Sequence, residues 1–314
     1  MKQPRPSWIV FLLLTASAWT AARGAIDPEL LKLVPAGTRV MAGIDMAPFA
    51  ASESGRMLFS VLQASYPRLA LLSQIKGFDP LRDARETLLA ATGEPNANQT
   101  LVLLRGTFDP GKLKANGADV RDHGGIAVLQ GDETKGPWLA ILNGTTAVLG
   151  APENVQRLME RGAGGGSPPA ELRGKAQRIS DQFDFWAVSE APAAKMAEQL
   201  PDGQLSGILR GDVMAAVLET NAGVKFGRQI LLSMQALTAT AKDAATLAEV
   251  LRFFVGVSQL TDRRNPKSAP TTSLLDRMNL TTEGNRMSVT LVLNDADLQR
   301  LIRRALDLGL VGGR

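Results

Sequence analysis

The chain has 314 residues, 45% hydrophobic and 21% charged, with a formal net charge of +4, one histidine and no cysteine. The lack of cysteine excludes disulfides, a thiolate nucleophile and a zinc–sulfur centre, and a single histidine excludes the usual His-rich catalytic zinc site. Three of the cations, Lys2, Arg5 and Arg23, fall within the first 24 residues, so the remainder is close to neutral and shows no basic stripe suited to nucleic acid.

Lys2 and Arg5 precede an apolar run from Trp8 to Trp19, and small residues follow from Thr20 to Ala25. A basic start, a short apolar middle and a small-residue end predict a signal peptide over 1–24, cut after Ala22 or Gly24, and delivery to the periplasm or the medium. The apolar run is about twelve residues, short of the ~18–20 that span a bilayer, so no stable membrane span is expected after cleavage. Without cysteine, a lipid-anchored lipoprotein is excluded.

One pattern then recurs: a short apolar strand ends in a small or acidic residue, often followed by Pro, and a helix begins. Thr38–Asp45 runs into Ala47-Pro48 and helices over 48–74 and 79–91. Leu101–Leu104 runs into Phe108-Asp109-Pro110 and a short helix. Strands at 125–130, 137–143 and 145–149 precede a helix at 152–161. Gly162 to Pro169 has the composition of a flexible linker or exposed loop. Beyond it come a strand at 183–189, a helix at 192–200, strands within 206–219 and 224–239, and a helix at 243–260. A hairpin around Glu283-Gly284-Asn285 and a helix at 295–308 close the chain.

This order divides the chain into a leader (1–24), an N-terminal lobe (25–161), a Gly/Pro-rich linker or loop (162–170) and a C-terminal lobe (171–314). Both lobes repeat strand, helix, hairpin strands and closing helix. The fold class expected is α+β: two similar lobes, each a mainly antiparallel sheet with helices packed on one face.

Catalytic constellations do not assemble from the sequence. His123 sits in Asp122-His123-Gly124-Gly125, a turn composition, and no Gly-x-Ser-x-Gly elbow supplies a serine for it. Ser73-Gln74-Ile75-Lys76 has the Ser-x-x-Lys spacing of penicillin-recognising enzymes, but the accompanying Lys-Thr-Gly and Ser-Asp-Asn are missing. The glycines at 162–166 lack the strand before them and the Lys-Ser/Thr after them that a phosphate loop needs. For paired-carboxylate chemistry, Asp45 and Glu190, each at a strand end, are the best candidates, with helix capping or a loop position as the simpler explanation. No cofactor and no metal is expected.

Helix 243–260 is apolar on most sides, including Phe253 and Phe254, which suits either burial or a partner surface. Strand 224–239 has apolar residues on one face, and Leu231 and Leu237 interrupt the polar other face. These four residues are the tentative surface for an apolar ligand or an envelope protein, Leu231 and Leu237 otherwise being core.

Leu33–Asp45, Gly77-Phe78-Asp79-Pro80-Leu81-Arg82-Asp83 and Phe185-Trp186-Ala187-Val188 resemble a family of uncharacterised exported bacterial proteins. The resemblance implies export and a mixed helix–sheet fold, and it carries no activity, cofactor or site residue. The expected function is a non-enzymatic binding or scaffold protein of the cell envelope. An envelope hydrolase using dispersed carboxylates is the alternative.

Overall fold

The structure, a computed structural model, describes residues 26–65, 78–93, 100–115, 119–130, 136–162, 166–194, 212–264 and 277–307. The expected leader, the Ser73–Lys76 pair and most of the expected helix 192–200 lie outside the described residues.

Twelve strands are present: β1 (Val40–Asp45), β2 (Ala84–Ala91), β3 (Leu101–Gly106), β4 (Val120–His123), β5 (Ile126–Gln130), β6 (Trp138–Asn143), β7 (Thr146–Gly150), β8 (Phe185–Ser189), β9 (Val217–Lys225), β10 (Ile230–Thr238), β11 (Asn279–Glu283) and β12 (Arg286–Leu293). They join one sheet in the order β11-β12-β10-β9-β8-β1-β2-β3-β7-β6-β5-β4, and every neighbouring pair is antiparallel. Ten helices are described: α1 (Pro28–Leu31), α2 (Met46–Ala51), α3 (Glu53–Ser65), α4 (Pro80–Asp83), α5 (Pro110–Ala115), α6 (Pro152–Arg161), α7 (Ala170–Ser180), α8 (Asp212–Ala215), α9 (Ala241–Arg264) and α10 (Asp295–Asp307). The class is α+β with an antiparallel sheet, as the sequence implies.

The strands of the two sequence lobes meet at the β1–β8 ladder and continue as a single sheet. At this seam Gly43 on β1 and Gly223 on β9 are the cross-strand neighbours of Trp186 on β8. The indole lies against Gly43, where an added Cβ would come within 2.4 Å of the ring, and the Phe183 ring lies as closely over Gly223. The two glycines are the space the aromatic rings occupy.

Side-chain alternation sorts the core into two faces. On the first, α2, α3, α5 and α10 cover Val102, Leu104, Leu149, Ile230 and Leu293. Phe49 of α2 meets Phe226 edge-to-face, with centroids 5.6 Å apart. The Ser52 hydroxyl and the Ser54 N–H both donate to Asp295 Oδ1, at 3.0 and 3.1 Å, which fastens α3 to the last helix. Further along this face, α9 packs Leu247 and Ala248 on Ala236 and Met287. On the second face, α1, α6 and α7 cover Met41, Leu88, Leu103, Val148 and Trp186. Leu101-Val102-Leu103-Leu104 is buried throughout, so the N-terminal stretch of sheet needs helices on both faces. Over β9–β12 the described helices sit mainly on the first face.

Several elements differ from their sequence expectation. Asp79 caps a helix and Pro80 starts it, but α4 lasts four residues. Ala84–Ala91, although rich in helix formers, becomes β2 because β1 and β3 pair with it on both sides; tertiary pairing outweighs the weak preference for helix. The expected strand 224–239 is two pieces: the end of β9, a turn over 226–229, and β10. Helix α7 has no side-chain N-cap and contains Gly174, so it lacks the usual start signal. The described part of the Gly/Pro-rich stretch, Gly162 and residues 166–169, links α6 to α7 and is partly packed down: Pro168 is buried, and Gly166 lies against the backbone of Lys32 and Val34.

Candidate functional site

Two regions carry features that could serve a function. The first is a polar row on the second face, across the central strands at the rim where β1 ends and β2 begins. Register places Glu86 between Asp45 on β1 and Arg105 on β3. The Asp27 N–H donates to both Glu86 oxygens, at 3.1 and 3.3 Å. The Asp27 carboxylate accepts from Glu29 N–H as the cap of α1 and pairs with Arg85 at 3.1 Å and Arg105 at 2.9 Å. Arg105 also donates to the hydroxyls of Thr145 and Thr146, both at 2.7 Å.

Burial pushes the Glu86 carboxyl up to about 7, helped by the negative charges of Asp27 and Asp45 and opposed by the Asp27 N–H and Arg85. Three carboxylates therefore converge, but each is engaged: Glu86 by the Asp27 amide, Asp27 by two arginines, and Asp45 as the cap of α2 through Ala47 N–H. The row clasps the start of the fold to β2 and β3. The neighbouring cavity, ≈ 430 Å³, is lined instead by Arg82, Asp83, Arg85, Arg105, Thr107 and Thr145 among others.

The raised Glu86 value has a testable sign. Between its ordinary 4.5 and about 7 the folded chain holds a proton that the unfolded chain has released. Stability from this group therefore falls as pH rises through that window, by at most about 3 kcal/mol. Glu86→Gln keeps an acceptor for Asp27 N–H and stays neutral. Its melting temperature should match the parent at pH 4 and exceed it at pH 8. Parallel pH profiles for the two proteins would show that folding leaves the Glu86 titration unshifted.

The sequence candidates for paired-carboxylate chemistry are not brought together. Glu190 lies beside Arg39, its N–H donating to the Arg39 carbonyl at 2.8 Å, whereas Asp45 ends the same strand. At ~3.3 Å per residue they are about 20 Å apart. Glu190 instead shares Lys175 with two other carboxylates: the ammonium lies 2.8 Å from Glu171, 2.8 Å from Glu190 and 2.7 Å from Glu219. That bridge ties α7 to the ends of β8 and β9. His123 ends β4, its ring 5.0 Å from that of Trp138. Among the described residues, no group of three or more His, Asp or Glu is arranged to hold a metal.

The second region is an apolar strip on the first face. It lies between the group α2–α3–α10 and the helix α9, with the sheet as its floor. Two cross-strand rows form that floor: Phe185, Val224, Leu232 and Leu291, then Ala187, Ala222, Met234 and Val289. Met278 closes one end, and the cavity is ≈ 260 Å³ with an almost wholly apolar lining. Met234 is 40% exposed, and Ala222 is exposed as well. Small side chains at 187 and 222 leave a depression between the larger ones.

The strip is not the one expected from the sequence. Leu231 and Leu237 fall on the second face by the two-residue period of β10, opposite Lys225 and Val292, and Glu219 and Arg286, respectively. Helix α9 covers the other face, so these leucines and that helix do not line one groove. Phe253 is 60% exposed, on the opposite side of α9 from Ala244, Leu247 and Ala248. The side chain of Phe254 lies outside the described residues. The parity of Ile230, Leu232, Met234 and Ala236 is the signal for the strip in the sequence; the β8 and β12 rows beside it are what the sequence does not show.

The fold is similar to that of TP0453, whose crystal form I structure matches with a TM-score of 0.51 and 10% sequence identity, covering 89% of this chain and 98% of that one. At that identity the likeness is one of fold. The sequence matches no family model and no curated protein. Among the described residues, no helix is long and apolar enough to cross a membrane.

Proposed function

We propose that this chain is an exported, non-enzymatic binding protein of the cell envelope, and that the apolar strip on the first face takes an apolar ligand. The leader pattern at 1–24 supports export. The observation that carries the binding reading is the lining of the strip: Phe185, Leu232, Met234, Val289 and Leu291 around two alanines, with almost no polar surface. Its ≈ 260 Å³ lies just below the ~300–1,000 Å³ of sites for drug-sized ligands. That size suits a single hydrocarbon chain or a small apolar ring, not a two-chained lipid held whole.

Binding of the fluorescent apolar probe N-phenyl-1-naphthylamine tests this. The mature chain should enhance its fluorescence saturably, and Ala222→Trp, which fills the depression from an exposed position, should weaken binding about tenfold or more while leaving the circular dichroism unchanged, since a lost desolvated contact of ~1.4 kcal/mol is a factor of ten. Undiminished binding by a folded Ala222→Trp chain would remove the strip from consideration.

A further inference from the structure

The sheet has two ends, and they are defended differently. An edge strand offers unpaired N–H and C=O groups to any other strand, and proteins blunt such edges with charge, proline or a bulge. At one end, β4 carries Arg121 and Asp122 beside Asp119, and α5 leans on it. At the other, β11 reads Asn279-Leu280-Thr281-Thr282-Glu283, with no lysine, arginine, proline or glycine, and four of its five residues are exposed. Its register with β12 runs without a bulge. Among the described residues nothing pairs with its outer side.

We infer that β11 is the pairing edge for a second copy of this chain, in an antiparallel ladder centred on Thr281. The hairpin geometry sets which groups are available. Glu283 and Arg286 flank a two-residue turn in which Gly284 has φ +54° and Asn285 has no positive φ, the pattern of a type II′ turn. Such a turn closes on a hydrogen-bonded pair, so Glu283, Thr281 and Asn279 direct their backbone groups to β12. Thr282 and Leu280 direct theirs outward. Asn285 also anchors the turn to Thr238 through its side-chain amide and its carbonyl, at 3.0 and 2.9 Å, which keeps this edge rigid.

Pairing centred on Thr281 sets Leu280 opposite Thr282 of the other copy, twice, and these pairs exchange the outward hydrogen bonds. Asn279 faces Glu283, Thr281 faces itself, and no like charges are opposed. A two-fold axis normal to the sheet relates the copies, so the same face lies on the same side in both. The contact is isologous and closed. It covers both β11 edges and, among the described strands, leaves the charged β4 edges outward, so it ends at two copies. It holds whether or not the apolar strip takes a ligand.

The cysteine-free sequence makes the test clean. Thr281 and its symmetry mate form a non-hydrogen-bonded pair, whose Cα atoms lie about 4.5 Å apart, within the span a disulfide bridges. Thr281→Cys in the mature chain should oxidise to a covalent dimer several-fold more completely than Arg121→Cys on the opposite edge. By sedimentation equilibrium the unmodified chain should be dimeric. Thr282→Pro, which removes an outward N–H and leaves the β12 ladder intact, should be monomeric with unchanged circular dichroism. An unmodified chain that sediments as a monomer, or Thr281→Cys cross-linking no better than Arg121→Cys, overturns the inference.

Discussion

Gly43→Ala should lower the stability of the fold by about 3 kcal/mol, the upper part of the range for forcing extra volume into a packed core. The methyl group would enter at 2.4 Å from the Trp186 indole. That ring is 4% exposed and confined by Met41 and Val188 in the same apolar cluster, so it has nowhere to move without opening the β1–β8 ladder. Trp186→Leu alone should also destabilise, by creating a cavity. The double variant should lose less than the sum, because the new methyl partly fills the space the indole leaves. Urea denaturation of the four proteins measures this. A neutral Gly43→Ala would mean that the seam is loosely packed and that the two stretches of sheet slide against each other.

Lys175→Met should cost about 2–3 kcal/mol near neutral pH, less than the ~3–5 kcal/mol of a fully buried pair because the cluster is partly solvated. Three carboxylates surround the one ammonium within 2.8 Å, and they raise the affinity of Lys175 for its proton against the opposing effect of burial. Methionine keeps the length and the apolar stem but leaves Glu190 and Glu219 facing each other without a cation. Lys175 holds the Glu171 carboxyl below its ordinary value; that support is present above about 4.5 and is lost as pH falls, so the deficit relative to the parent should shrink towards pH 4. A deficit that is constant from pH 4 to pH 8 would assign the loss to packing of the stem. Lys175→Arg, which restores the charge, should recover most of the stability.

The elements most legible in the sequence are those whose local signals agree with their surroundings. Helix α10 begins with Asn294 and Asp297 capping each other, and Thr240 with Asp243 does the same for α9. Both helices fall within a few residues of their expected bounds. The hairpin at Gly284 and the strands β5, β6 and β7 were legible for similar reasons: short apolar runs between turn residues. Reading failed where the deciding interaction is distant in sequence. Residues 84–91 are helix formers locally, and only the strands on either side make them β2. Gln229 fits the polar side of an alternating strand, whereas Gly227 and Arg228 break the alternation where β9 gives way to β10. The apolar strip needs β8, β9, β10 and β12 side by side, an order absent from the linear chain. The Lys175 cluster joins residues 171, 175, 190 and 219 from three elements, and no spacing in the sequence announces it.

The clasp between Ser52, Ser54 and Asp295 joins positions up to 243 apart, and the Phe49–Phe226 contact joins positions 177 apart. A polypeptide leaving its site of synthesis N-terminus first has α2 and α3 ready long before α10 exists to cover them. Until the final helix arrives, the apolar side of those first helices has no permanent lid. Contacts this remote in sequence raise the loop-closure cost of the rate-limiting step and slow folding relative to a chain built from local units. The second face of the N-terminal stretch can close early, because its cluster draws only on residues 26–188. Its first face is completed only once β12 and α10 are made.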